Sequence, residues 1–128
     1  MNKHILLSAL FLAMLFTISS TYGQTPVKPD LISMLKDGNN QPSLEQVLAA
    51  IAAGADVNAR DIDGSTALMI AASFNKDQAV ITSLIKAGAD VNARNETGDT
   101  ALMNAVWYNQ SLEIVTTLIA AGSEVNAT

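Results

Sequence analysis

Ala53-Gly54-Ala55-Asp56-Val57-Asn58-Ala59-Arg60 recurs letter for letter as Ala87-Gly88-Ala89-Asp90-Val91-Asn92-Ala93-Arg94. A third version, Ala121-Gly122-Ser123-Glu124-Val125-Asn126-Ala127, stands near the end of the chain. Gly54, Gly88 and Gly122 are each 34 residues apart, as are Gly64 and Gly98. Between these glycines, Asp63-Gly64-Ser65-Thr66-Ala67-Leu68-Met69 matches Thr97-Gly98-Asp99-Thr100-Ala101-Leu102-Met103. A fixed period between about 20 and 50 residues marks a solenoid of stacked units.

Each period divides into two short helices. Over Thr66–Ser73 the residues Ala67, Leu68, Ala71 and Ala72 make one narrow apolar stripe, and over Asp77–Ala87 the residues Val80, Ile81, Leu84 and Ile85 fall at helical spacing. Gly88 follows where a helix ends in the left-handed conformation, which glycine adopts without steric cost. Ser43 with Gln46 three residues on reads as a capping box opening the earlier second helix, which Gly54 ends. Ser111 and Gly122 bracket the last helix in the same manner. Helices this short are marginal alone and need stacking.

The run Gly-x-Thr-Ala-Leu-Met-x-Ala-Ala, followed by Val-Ile-x-x-Leu-Ile-x-Ala-Gly-Ala-Asp-Val-Asn, resembles the ankyrin repeat over about residues 43–127. The resemblance implies an all-α solenoid of antiparallel helix pairs joined by projecting β-hairpin-like turns. It also implies protein binding through hairpin tips and the exposed face of each first helix. Three departures from the family pattern stand out. The Thr-Pro-Leu-His run is here Thr66-Ala67-Leu68-Met69 and Thr100-Ala101-Leu102-Met103, so methionine fills the histidine position with an apolar side chain. The period is 34 where 33 is usual, and the extra residue is expected to lengthen the loops at Phe74–Asp77 and Tyr108–Ser111. Finally, no polar capping helix follows the third Asn-Ala. That end is expected to be covered by the Glu113, Thr116 and Thr117 side chains, or by a partner.

The N-terminal side has a degenerate pair. Leu31, Ile32, Met34 and Leu35 give Asp30–Lys36 a helical pattern, Asp37-Gly38-Asn39-Asn40 stops it, and Ser43–Ala53 is its partner. The expected division is therefore a repeat domain over 30–128, with a capping repeat at 30–63 and repeats at 64–97 and 98–128. Residues 24–29, with two prolines, read as a linker. Residues 1–23 read as an export signal: Lys3 is followed by the uncharged apolar run Ile5–Ile18, and Thr21 and Gly23 flank Tyr22, placing cleavage before Gln24. The 14-residue run falls short of the roughly 20 needed to span a bilayer. No membrane association is expected after cleavage, and the location implied is periplasmic or secreted. Export without cysteine suits a bacterial protein better than a disulfide-stapled extracellular domain.

Composition narrows the chemistry. The chain has no cysteine and one histidine, His4, inside the expected signal. The remainder then lacks the commonest metal ligands and the commonest general base. No cofactor, metal or catalytic residue is expected, and the chain is not read as an enzyme. Net charge is −5, becoming −6 without residues 1–23, which disfavours nucleic acid because phosphate contacts need clustered lysine and arginine.

The candidate contacts are of two kinds. The hairpin-tip positions Arg60, Ile62, Asp63, Ser65, Arg94, Glu96, Thr97 and Asp99 differ between copies whose neighbours are identical, the pattern of a scaffold with variable contacts. Outside residues 1–23 the aromatics are Phe74, Trp107 and Tyr108. With Ser73, they fall at the ends of the first helices, and aromatic residues are enriched at binding hot spots. Packing between repeats is the competing role for the aromatics. Asp56, Asp61, Asp63, Asp90, Glu96 and Asp99 match no calcium loop and read as a solvated rim. Asn58, Asn92 and Asn126 are expected to bond nearby backbone, as asparagine does in turns. The function implied is protein binding outside the cytoplasm. The alternative is an assembly element that stacks on another chain, or on itself, through its C-terminal end.

Overall fold

The computed structural model describes residues 29–123. The expected export signal, most of the linker, and Asn126 with the third Asn-Ala lie outside them. Six α-helices follow in order: α1 (Leu31–Lys36), α2 (Leu44–Ala52), α3 (Ala67–Phe74), α4 (Gln78–Lys86), α5 (Ala101–Asn104) and α6 (Leu112–Ala120), with α5 running on as a π-helical segment over Ala105–Asn109. They pair as α1/α2, α3/α4 and α5/α6, the helical repeat solenoid expected from the sequence.

The helix starts are written locally. Asp30, Thr66, Asp77 and Thr100 each accept a backbone N–H of the first turn on their side chains, satisfying donors that a helix otherwise leaves open. Ser43 and Gln46 close the reciprocal box, with Gln46 N–H donating to Ser43 Oγ at 3.3 Å and Ser43 N–H to Gln46 Oε1 at 2.9 Å. Ser111 occupies the equivalent position before α6, but its side chain makes no cap bond. The second helices end at Gly54, Gly88 and Gly122, with φ of 95°, 102° and 99°, where any side chain would strain the backbone.

α3 is wrapped on every side. Each residue from Ala67 to Ser73 is buried, where the sequence suggested a single stripe. The reason is its middle place in the stack: α3 packs on α1 to one side, on α5 and the π segment to the other, and on α4 behind. Val80, Ile81 and Leu84 of α4, and Ile114 and Leu118 of α6, are fully buried and continue one core through all three pairs. Met69 is 1 % exposed, while Thr66 Oγ1 accepts its N–H at 3.3 Å, so methionine fills the position and threonine retains its cap.

The 34-residue period is accommodated in two ways. After α3, Asn75 turns extended and its N–H donates to the Ala71 carbonyl. After α5, the helix widens instead: Gln110 N–H donates five residues back to the Ala105 carbonyl at 2.7 Å, and Gln110 itself is left-handed at φ 57°. The expected lengthened loop therefore occurs in the second repeat only.

Candidate protein-binding surface

The hairpin between α2 and α3 is a built turn, not a loose loop. Arg60 and Thr66 form an antiparallel bridge, and Asp61 N–H donates to the Ser65 carbonyl at 2.9 Å. Asp61 Oδ1 accepts the N–H groups of Asp63 and Ser65, both at 2.9 Å. Its other carboxylate oxygen meets Lys36 Nζ at 2.6 Å, which ties the tip to α1. Burial alone would raise this carboxyl, but the Lys36 ammonium and the two backbone donors outweigh it and hold Asp61 below its ordinary value. The following hairpin repeats the design with Asn95, whose Oδ1 accepts Thr97 N–H at 3.0 Å and Asp99 N–H at 2.9 Å.

Successive hairpins are joined to one another. Glu96 N–H donates to the Asp63 carbonyl at 3.0 Å, and Arg60 Nη1 donates to Gly64 O at 3.0 Å and Arg94 O at 2.7 Å. Gly64 lies in this seam with φ 76°, and a Cβ there would come within 3.2 Å of Glu96 N. Arg60 thus has an internal role beyond the contact expected of it. Arg94 Nη1 likewise donates to Gly98 O at 3.1 Å. Asn58 Nδ2 donates to Gly88 O at 3.0 Å, and its Oδ1 accepts Asp90 N–H at 2.8 Å; Asn92 Nδ2 repeats the first bond to Gly122 O at 3.1 Å. These asparagines do bond backbone, but that of the next repeat, 30 residues away or more, and not their own turn.

A second ladder went unread in the sequence. Gln41, Asn75 and Asn109 stand 34 residues apart at the turns inside each helix pair. Asn109 Nδ2 donates to Ala72 O at 3.0 Å and Asn75 O at 2.7 Å, and Lys76 Nζ donates back to Asn109 Oδ1 at 3.1 Å. Asn75 and Asn109 are both buried. Their spacing was the available signal, hidden because polar residues between helices ordinarily read as solvated loop.

The structure separates the proposed contact residues into two groups. Ile62 is 88 % exposed at the hairpin tip, beside exposed Asp63, Glu96 and Thr97 and half-buried Ser65 and Asp99. Phe74, Trp107 and Tyr108 are 56 %, 55 % and 65 % exposed, and the Phe74 and Tyr108 rings lie 6.5 Å apart at a 33° tilt, within the range of favourable aromatic pairs. The groups sit at opposite ends of the first helices; α3 has eight residues, so about 12 Å of helix separates them. Ser73 belongs to neither. It is buried, and its Oγ donates to the Met69 carbonyl at 2.9 Å, so the contact expected of it is not available on this surface.

Among the described residues, no group of three or more acidic, histidine or cysteine side chains could hold a metal ion, and no helix is long and apolar enough to cross a membrane. The arrangement offers rigid exposed apolar and acidic groups on a packed frame. A family model described as ankyrin repeats, in three copies, matches residues 31–128. No curated protein matches the chain.

Proposed function

We propose that this chain, which belongs to the ankyrin repeat family, is a non-catalytic module that binds another protein outside the cytoplasm. Ankyrin repeats generally serve protein–protein interaction and are typically not catalytic. The observation carrying the reading is Ile62, a large aliphatic side chain 88 % exposed on a turn fixed by Asp61, Arg60 and the neighbouring hairpin. An apolar group already held in place loses little freedom on binding, so its burial converts efficiently to affinity. Asp63, Glu96 and Asp99 around it favour a partner with basic residues beside an apolar pocket. Phe74, Trp107 and Tyr108 supply a second, aromatic contact at the far end of the first helices. Lys3, the apolar run Ile5–Ile18 and the small residues before Gln24 support export.

The test is affinity capture from a periplasmic extract with the wild type, Ile62→Asp and Trp107→Ala. We expect a retained protein whose measured Kd weakens at least about tenfold in one or both variants, as central hot-spot residues do. Equal affinity for all three would remove both surfaces from consideration.

A further inference from the structure

Two aspartates in this chain precede a glycine, Asp37 and Asp63, and the fold treats them oppositely. An Asp-Gly step carries a latent reaction. The glycine nitrogen can attack the side-chain carboxyl carbon of the aspartate, because glycine has no side chain to hinder the approach. A bond from that nitrogen to Cγ forms, one carboxyl oxygen leaves as water, and a five-membered succinimide results. Water then opens the ring at either carbonyl. One product is the original aspartate. The other is isoaspartate, in which the main chain runs through the former side chain, and the overall mass is unchanged.

Ring closure needs a nitrogen free of other bonds and a backbone able to turn at the aspartate. At Asp63 both are denied. Gly64 N–H donates to the Asp61 carbonyl at 3.0 Å, and the Asp63 carbonyl accepts Glu96 N–H at 3.0 Å. Asp63 N–H is held by Asp61 Oδ1 at 2.9 Å, and a Cβ on Gly64 would lie 3.2 Å from Glu96 N. Turning the backbone here breaks the bonds that join two hairpins.

At Asp37 the surroundings are open. Residues 37–40 are all exposed, and Gly38 N–H donates to no acceptor among the described residues. Asp37 has to leave its extended ψ of 93°. The turn then gives up Asn39 N–H to Asp37 Oδ1 at 3.1 Å, and Asn40 N–H and Gln41 Nε2 to Asp37 O at 3.2 Å and 3.0 Å. These bonds lie at the surface, where water replaces them at small net cost, and local opening is easiest where few buried contacts are lost.

We propose that Asp37 is a modification site, at which this protein converts spontaneously to isoaspartate, while the hairpin seam protects Asp63. The extra main-chain atom falls between Lys36, which holds Asp61, and Gln41, whose Nε2 also donates to Leu35 O at 3.0 Å. The change therefore loosens the first helix pair and leaves the hairpins intact.

Prolonged incubation of the purified full chain near neutral pH, followed by trypsin digestion, tests this. Cleavage after Lys36, Arg60 and Lys76 puts the two sites in separate peptides, 37–60 and 61–76, each matched by chromatography and mass against synthetic standards of either linkage. The expected result is isoaspartate accumulating at Asp37 but not at Asp63 in the folded protein, and at both in concentrated guanidinium chloride. Gly38→Ala, at a position of negative φ where a Cβ meets no atom within 4 Å, is expected to keep the helical circular dichroism and lose the accumulation. No isoaspartate at Asp37 in the folded protein, equal accumulation at Asp63, a difference between the sites that persists in denaturant, or accumulation undiminished in Gly38→Ala would each overturn the proposal.

Discussion

Asp61 shows how one carboxylate can define a hairpin. Its two oxygens hold the Asp63 and Ser65 N–H groups and the Lys36 ammonium, and its pKa is lowered accordingly. A lowered acid pKa stabilises the fold above the ordinary aspartate value, about 3.9, and that contribution is lost as pH falls through the folded value. Asp61→Asn keeps an acceptor for the backbone but drops the ion pair, so it should cost about 1 kcal/mol at pH 7. The gap should close as acid protonates the wild-type carboxylate, read by urea unfolding of both proteins between neutral pH and pH 2. None of this was legible beforehand: Lys36 and Asp61 are 25 positions apart in the sequence, and periodicity says which residues are equivalent, not which cation lands beside which anion. Ser73 was misplaced for a related reason. Its spacing put it with the aromatics, but only the packing of neighbouring repeats decides that its face is covered.

At the scale of elements, the boundaries were readable because they rest on local chemistry: Thr66, Asp77 and Ser43 at helix starts, left-handed glycines at helix ends. The widened turn after α5 was not, since Phe74-Asn75 and Tyr108-Asn109 look alike in sequence and differ only in how each reaches its neighbour. What joins one pair to the next is Asn109, which satisfies two carbonyls of the preceding repeat from a buried site. Asn109→Ala removes the donors and leaves Ala72 O and Asn75 O without these partners, so a loss of about 2 kcal/mol is expected. Asn58→Ala, at an exposed rung, should cost less than half of that. Chemical denaturation of the two variants side by side checks the ranking.

For the stack as a whole, stability lies between neighbours, because among the described residues no helix is longer than nine residues and helices this short are not stable alone. Leu84 is fully buried in the middle pair, and Leu84→Ala is expected to cost roughly 2–5 kcal/mol. If the pairs unfold as one unit, helical circular dichroism and the fluorescence of Trp107, in a different repeat, should lose structure at the same urea concentration in wild type and variant alike. Separate midpoints for the two probes would show that the repeats melt independently. The solenoid itself was plain from the 34-residue recurrence. So was the division of the contact residues between hairpin tips and the aromatic ends of the first helices; the distance between the two groups was not, because repetition along a chain carries no statement of distance across it.

The asparagine rungs have a consequence for the history open to such a chain. Asn58 reaches Gly88 and Asn92 reaches Gly122 through the same bond over the same interval. A tandem duplication of residues 64–97 would therefore arrive with this fastening already made at both of its borders. Growth in length by copying is thus easy for the middle of the stack.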